Sequence, residues 1–316
     1  MTALRRIEWR AVGTTCAALV TASADEREAR WALEAAQEEV AACERELSRF
    51  DPASDLSRLN AAGCRWTPVG RRLLEALGLA LRAREETGGR FDPTVLPALV
   101  AAGYDRSFEL LEERPAAEAD GWRAGTAIEL DEARRRARLE PGSAVDLGGI
   151  GKGYAADRAL AAMRVISPHL RGGLVDLGGD IAVHGECPEG GPWSIAVADP
   201  RRAGQTLAFL GLDSGGVATS GRDARRFGPA QSLHHLIDPE TGEPALAGPL
   251  TVTVVAPSAA AAEIHATTLA IAGLGEAEEH VAARPSLSAL YVPQAGASSF
   301  LGRLPLAPQR FLVSAA

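Results

Sequence analysis

Hydrophobic and polar positions follow two different spacings along the chain, which predicts a mixture of helices and strands. Where apolar residues recur at helical spacing, helices are predicted at 24–48, 69–87, 94–102, 151–165 and 258–273. Alternating or β-favouring stretches predict strands at 7–23 (interrupted by Gly13), 127–130, 136–139, 143–147, 173–177, 180–184, 193–198, 206–210, 215–219, 250–255, 288–292 and 310–313. The charged, proline-bearing segment 105–125 predicts a surface excursion. Because strands and helices alternate irregularly, the pattern favours an α+β fold, with mainly antiparallel sheets packed with helices, over a doubly wound parallel sheet.

The size and charge of the chain limit the classes of protein to which it can belong. With 316 residues it can bury a large core, and we expect a single domain over 1–316 or two lobes with a cleft between them. The formal net charge of −8 is unlike the basic excess of a nucleic-acid-binding protein. No apolar run is long enough to cross a bilayer, and Glu8 and Arg10 interrupt the apolar core that a secretory signal needs. A cytoplasmic protein without a membrane segment is therefore expected.

One lysine and one asparagine occur in the chain, against 32 arginines. Lys152 lies in the glycine-rich run 146–157, and Asn60 closes the stretch 48–60, which is dense in capping and turn residues. A compact, strongly hydrated ammonium differs chemically from a planar guanidinium beside a phosphate or carboxylate. The position of Lys152 favours a functional role, and chance placement is the alternative.

The turn at 148–153 reads Gly-Gly-Ile-Gly-Lys-Gly and leads into a predicted helix. It is not a phosphate-binding P-loop, because it is too short on its N-terminal side and Gly153 replaces the Ser or Thr that holds magnesium. Its glycines would still let backbone amides approach an anion at a helix N-terminus, and Lys152 would add positive charge. Contact with a phosphate or carboxylate is one interpretation, and a tight strand-to-helix turn is the other.

Two further segments place polar groups at breaks in strands. Asp176 and Asp180 flank the double glycine 178–179, where either acid could bond a ribose hydroxyl or a ring N–H, or form an Asx turn. The small residues of 214–222 could cradle a polar ligand at a strand end, although this signal alone is weak.

Two of the six histidines, His234 and His235, are adjacent and precede an Asp-Pro turn. Adjacent residues of a strand face opposite ways, so at most one of them readily serves a given site. A histidine near an aspartate can act as a base near neutral pH, and a structural pair is the alternative.

Glu263 and Thr267 are spaced i, i+4 on the predicted helix 258–273 and therefore share one face. A carboxylate and a hydroxyl at this spacing can hold a hard cation such as Mg²⁺, with carbonyls, waters and phosphate oxygens completing an octahedron. A polar helix face is the alternative.

Taken in order, these segments resemble the ApbE-type FAD:protein FMN transferases, and the likeness spans nearly the whole chain. The matching motifs are Val12-Gly13-Thr14, Ser48-Arg49-Phe50 with Ser57 and Asn60, Gly89-Arg90-Phe91-Asp92-Pro93-Thr94, residues 146–154, Gly178-Gly179-Asp180, Ser220-Gly221, His235-Leu236-Ile237-Asp238-Pro239 with Thr241-Gly242, and the Glu263/Thr267 pair. The resemblance implies an ApbE-like (T-fold-like) architecture. It also implies that the chain, with Mg²⁺, cleaves the pyrophosphate of FAD, attaches FMN to a Thr or Ser hydroxyl of an acceptor protein, and releases AMP.

The resemblance also implies roles for individual residues. His235 is the candidate base, and the Gly151 carbonyl, Glu263 and Thr267 are the candidate metal ligands. The candidate FAD-binding residues are Gly13, Thr14, Phe50, Asn60, Arg90, Phe91, Asp92, Gly149, Lys152, Asp157, Gly179, Asp180, Ser220, Gly221 and Ile237. An FAD pyrophosphatase and a non-catalytic FAD-binding protein are alternatives that use the same residues.

The chain departs from the family pattern at two positions that concern this site. Glu263 stands where the family usually has Asp, and one extra methylene moves a carboxylate by about an ångström, which suits a strict octahedral ion less well. Val12 stands where the family has methionine, a milder change because the family uses backbone there. The departures leave open weakened or altered metal use. Many relatives carry a lipoprotein signal, so its absence here again implies a cytoplasmic version.

Overall fold

The computed structural model describes residues 3–22, 26–111, 117, 122–222, 226–231, 233–308 and 312–314. The helices are α1 Glu26–Leu47, α2 Asp55–Ala61, α3 Arg71–Glu86, α4 Leu96–Ala101, α5 Gly151–Ile166, α6 Ala259–Ala270 and α7 Leu274–Ala282. The strands are β1 Ala3–Ala11, β2 Thr14–Ala22, β3 Thr67–Pro68, β4 Ile128–Asp131, β5 Arg136–Leu139, β6 Gly172–Leu177, β7 Ile181–Gly185, β8 Trp193–Ala198, β9 Thr206–Leu212, β10 Ser214–Gly221, β11 Arg226–Phe227, β12 Leu233–His234, β13 Thr251–Ala256, β14 Ser288–Val292, β15 Ser299–Leu301 and β16 Leu312–Ser314.

The central element is an eight-stranded sheet with the order β1-β2-β6-β7-β10-β13-β14-β15. Smaller sheets are formed by β16-β8-β9, β3-β5-β4 and β11-β12. Within the described ranges every strand pair is antiparallel except β16 with β8. The predicted α+β class with mainly antiparallel sheets is confirmed.

Both faces of the large sheet are covered, and strand β2 shows why. Cys16, Ala18 and Val20 point to one face and pack with helices α1, α3, α5 and α6. Ala17 and Leu19 point to the other face and pack against the small sheet that contains β8 and β9. Side chains of a strand alternate between faces, so an apolar strand of this kind requires a layer on each side.

Several predicted elements have different boundaries in the structure. The predicted strand 7–23 is a hairpin, because Val12 (φ 46°) and Gly13 (φ 71°) form a two-residue turn that reverses the chain between β1 and β2. The predicted helix 258–273 ends at Ala270, and the next helix, α7, was not predicted. Helix α2 and strand β15 were also not predicted.

The predicted strand 143–147 is wrong, because this segment forms no ladder. Instead, the side-chain amide of Asn60 binds both backbone groups of Val145: Asn60 Oδ1 accepts from its N–H at 2.8 Å, and Asn60 Nδ2 donates to its carbonyl at 2.9 Å. One side chain thus replaces the neighbouring strand that the pattern implied.

Two predictions lie partly outside the described residues. The excursion 105–125 includes 112–116 and 118–121, which are not described, and the strand predicted at 310–313 is described only from Leu312 onward, as β16. Among the helices that are described, none combines the length and the apolar character needed to cross a bilayer.

Candidate active site

Helices α5 and α6 pack closely at their N-terminal ends. A β-carbon built on Gly153 would lie 2.4 Å from the carbonyl oxygen of Ala259, so a larger residue would push the helices apart. One turn along α5, the carboxylate of Asp157 accepts from the backbone N–H groups of Ala259 and Ala260, both at 2.9 Å. Burial raises the pKa of Asp157. These bonds satisfy N-terminal amides of α6 and fix α6 against the glycine turn.

The side chains of Glu263 and Thr267 face that glycine turn from α6. Glu263 is buried, and its Oε2 accepts from the backbone N–H of Gly153 at 2.8 Å. A β-carbon built on Gly149 would lie 2.9 Å from Thr267 Oγ1, so the hydroxyl reaches the turn only because position 149 is glycine. The helical spacing that placed these two oxygen donors on one face therefore brings both to the turn.

Lys152 lies among buried carboxylates. Its ammonium forms an ion pair with Asp180 and lies 3.3 Å from Glu263 Oε1. Asp176 is close enough to interact with the same charge: burial raises the pKa of Asp176 to about 6, and the charges of Arg6 and Lys152 oppose part of that rise. Three buried acids thus share one lysine, which leaves an excess of negative charge in a region of low dielectric constant.

The residues at this place suit a hard divalent cation. Within the described residues, no group of three His, Cys, Asp or Glu side chains converges in a way that could hold a metal. An ion would therefore need hydroxyl, backbone, water or substrate oxygens in addition to one carboxylate, which is the kind of site that Mg²⁺ uses. Glu263 and Thr267 supply oxygen ligands from one helix face. The double positive charge of a divalent ion would offset the excess negative charge of the three buried acids. The oxygen ligands present at this site therefore fit Mg²⁺.

A second glycine turn borders the Lys152 cluster. Gly178 (φ 71°) and Gly179 (φ 95°) adopt left-handed conformations between β6 and β7, and the N–H of Gly179 donates to Asp176 Oδ1 at 2.8 Å. A β-carbon built on Gly178 would lie 2.3 Å from Thr14 Oγ1. The first residue of β2 therefore packs against the turn that carries Asp180, and Gly13 (φ 71°) turns the chain immediately before it.

His235 belongs to an aromatic cluster built around Tyr104. The Tyr104 ring lies 6.2 Å from the His235 ring, stacks on Phe227 at 5.6 Å, and meets Phe50 edge-on at 6.1 Å. His235 is half-buried, and its Nδ1 is a buried atom. Phe50, predicted to contact FAD, is 42% exposed.

His234 has a structural role, as the opposite orientation of adjacent histidines predicts. It is buried, and its Nε2 lies 3.0 Å from the carbonyl oxygen of Ala245. Burial, reinforced by the charge of Arg222, lowers the pKa of His234 to about 4. It is therefore neutral at physiological pH, and His235 remains the candidate base.

Arg49 joins this aromatic cluster to the first glycine turn. Its Nε lies 2.6 Å from Asp146 Oδ2, and its Nη2 donates to the Tyr104 carbonyl at 3.1 Å. The guanidinium also stacks over Phe50 at 4.1 Å and over Tyr104 at 4.8 Å. Sequence reasoning assigned no role to Arg49 or Tyr104. The position of Arg49 inside the Ser-Arg-Phe motif was a usable signal, whereas Tyr104 lies in no motif.

The segment 90–92 contacts both the first glycine turn and the loop that follows His235. Phe91 is buried, and its ring edge would be 3.0 Å from a β-carbon on Gly149. Arg90 pairs with Glu276 at 2.8 Å and with Asp238 at 3.5 Å, which tethers the loop that follows His235. Asp92 accepts from the N–H groups of Thr94 at 2.8 Å and Gly125 at 2.6 Å.

The remaining predicted residues lie in several different elements. Ile237 is buried in the cluster that contains Tyr104 and Phe227. Ser220 and Gly221 end β10, opposite Val252 and Thr251. Gly151 begins α5 next to Lys152. Asn60, Asp92 and Asp157 use their polar atoms on backbone groups and so hold neighbouring segments together. Direct contact with FAD stays a prediction for each.

The chain was compared with known proteins. The sequence model of the ApbE family matches residues 12–291. A protein named FAD:protein FMN transferase from Klebsiella pneumoniae (strain 342) is 30% identical over 256 residues, covering 78% of this chain and 72% of the relative. One of the same name from Treponema pallidum (strain Nichols) is 30% identical over 302 residues, covering 89% and 82%.

Solved structures give the same result for the fold. The crystal structure of the ApbE protein from Thermotoga maritima superposes with a TM-score of 0.82 at 28% identity, covering 95% of this chain and 97% of that one. The family match extends over most of the sequence and includes the glycine turn, the histidine loop and helix α6. This chain belongs to the ApbE family.

Proposed function

We propose that this protein transfers FMN from FAD to a threonine or serine hydroxyl of an acceptor protein and releases AMP. The observation that carries the proposal is the meeting of Glu263 and Thr267 with the glycine turn that bears Lys152. The relatives named FAD:protein FMN transferases support the same reaction. FAD is the flavin substrate, and the acceptor is a second protein.

We propose Mg²⁺ as the cofactor, held by Glu263, Thr267 and the carbonyl of Gly151. Bound there, the ion would offset the charge of the FAD diphosphate and of the departing AMP. Lys152 contributes a fixed positive charge beside the same turn, and its ammonium is held in place by Asp180. Gly149 and Gly153 keep the turn and α6 close together, which keeps the side-chain oxygens of Glu263 and Thr267 beside the glycine turn.

His235 acts as the general base in this scheme. The acceptor hydroxyl oxygen attacks the phosphorus of the FMN half, its proton passes to the His235 imidazole, and the bond to the AMP phosphate oxygen breaks. Tyr104 supports the ring of His235 and thereby limits the directions in which the base can point. Arg49 holds Tyr104 through its carbonyl and through stacking.

Two other functions use the same residues. With water in place of the acceptor hydroxyl, the site would hydrolyse FAD to FMN and AMP. Without productive metal binding, the site would bind FAD only. The relatives' shared name favours transfer over both.

Incubation of the purified protein with FAD, Mg²⁺ and an acceptor domain that bears a flavinylation threonine separates the three. We expect covalent FMN on the acceptor by mass spectrometry, an equal amount of AMP by chromatography, and neither product when that threonine is replaced by alanine. Free FMN with AMP and no modified acceptor would indicate a hydrolase, and intact FAD would indicate a binding protein. The single domain over 1–316 and the cytoplasmic location stay predictions.

A further inference from the structure

We propose that Lys152 opposes the binding of a divalent cation at Glu263 and so sets the Mg²⁺ concentration at which the site fills. This inference rests on the proposed function, which assigns Mg²⁺ to Glu263. It gives the lone lysine of the chain a role toward the metal as well as toward the diphosphate.

The geometry makes Glu263 a shared group. Its Oε2 accepts from Gly153, and its Oε1 lies 3.3 Å from the Lys152 ammonium. An ion that binds this carboxylate therefore shares it with a positive charge. Two cations on one carboxylate repel each other, and the side chains of Glu263 and Asp180 are each only 3% exposed, so solvent and salt screen that repulsion poorly.

Asp180 gives the ammonium a second partner. Its carboxylate pairs with Lys152 from the turn between β6 and β7. The lysine can therefore keep an ion pair with Asp180 while Glu263 turns toward a metal. Without Asp180, Glu263 would be the ammonium's nearest counter-charge, and releasing it to a metal would leave the partly buried ammonium with Asp176 as its remaining acidic neighbour.

The length of the Glu263 side chain belongs to the same arrangement. The extra methylene lets the carboxylate reach across from α6 to both the Gly153 amide and the Lys152 ammonium. An aspartate at 263 would end about one ångström short of these partners. The length of Glu263 and the charge of Lys152 thus act together on the affinity for the metal.

Isothermal titration calorimetry with MgCl₂ alone, without flavin, tests the inference. Lys152→Met is expected to bind Mg²⁺ at least about tenfold more tightly than the wild type, because one repelling charge is lost. Asp180→Asn is expected to bind more weakly. Arg164→Met is the matched control, because it removes a positive charge from an exposed position on the same helix, twelve residues or about 18 Å further along; its affinity should stay within about twofold of wild type.

Equal or weaker Mg²⁺ binding by Lys152→Met would overturn the inference. If Lys152→Met fails to fold by circular dichroism, Lys152→Gln and Asp180→Asn make the same test, and their shifts must be in opposite directions. If the wild type transfers FMN but Lys152→Met binds Mg²⁺ with unchanged affinity, the inference about Lys152 is wrong and the proposed function stands. Absence of Mg²⁺ binding in every variant overturns both the inference and the magnesium part of the proposed function.

Discussion

The guanidinium of Arg49 lies 2.6 Å from the carboxylate of Asp146, and the two side chains are only 7% and 12% exposed. Asp146 begins the run that contains the glycine turn, and Arg49 also contacts the backbone and ring of Tyr104, which lies beside His235. This pair connects the candidate base to the candidate metal site through a continuous set of contacts. Elements that are remote in sequence are therefore joined by one largely buried ion pair.

Arg49→Met is expected to destabilise the protein by about 3 kcal/mol, because it leaves the largely buried carboxylate of Asp146 without its guanidinium partner. Urea unfolding followed by circular dichroism measures the change. Arg30→Met is the control: Arg30 pairs with Glu34 on the surface of α1, where both side chains are more than half exposed, and its loss should cost less than about 0.5 kcal/mol. Equal effects of the two variants would contradict a special role for Arg49.

His235→Ala is expected to abolish FMN transfer and to leave FAD binding largely intact, because the imidazole removes a proton and is not the main flavin contact. Transfer is measured by mass spectrometry of the acceptor, and binding by quenching of flavin fluorescence. The exposed His169 provides a control in which alanine should leave both quantities unchanged. Wild-type turnover by His235→Ala would remove His235 from its role.

Glu263→Asp is expected to lower the Mg²⁺ concentration needed for half-maximal transfer. The shorter side chain no longer contacts the Lys152 ammonium or the Gly153 amide. The metal therefore has fewer competitors for the carboxylate. The measurement is transfer rate against MgCl₂ concentration. Glu278→Asp, an exposed substitution on α7, controls for loss of a methylene elsewhere. A raised Mg²⁺ requirement would show that the glutamate is the better ligand.

Asp176→Asn is expected to stabilise the metal-free protein at pH 8. Burial raises the pKa of Asp176 from 3.8 to about 6, so the folded state disfavours the charged carboxylate that the unfolded chain accepts. A raised carboxyl pKa costs stability above pH 6, and that cost disappears as the pH falls through 6 to 3.8. The variant should be about 3 kcal/mol more stable at pH 8 and close to wild type at about pH 3, by urea unfolding in EDTA. A pH-independent difference would contradict this.

The parts of the fold that depend on local pattern could be predicted from the sequence. Helix α5 follows its glycine turn within one residue of the predicted span 151–165, because glycines and helical periodicity are properties of the segment itself. The common face of Glu263 and Thr267 follows from helical spacing in the same way.

The parts that depend on distant partners could not be predicted. The segment 143–147 has a strand-like pattern, but its partner is the side chain of Asn60, 85 residues from Val145. The contacts of Tyr104 with Arg49 and His235 likewise join positions that share no motif. The cluster of acids around Lys152 likewise depends on tertiary structure, because Asp176, Asp180 and Glu263 come from β6, the turn before β7, and α6.

The most direct test of this site is anomalous diffraction from crystals soaked with FAD and MnCl₂, since Mn²⁺ takes the same oxygen ligands as Mg²⁺. We predict one strong anomalous peak for Mn²⁺ within bonding distance of Glu263 and Thr267. The FAD diphosphate should lie beside the ion, and the imidazole of His235 should face the FMN phosphate. A peak elsewhere, or a diphosphate bound away from the turn at 148–153, would contradict the proposed active site.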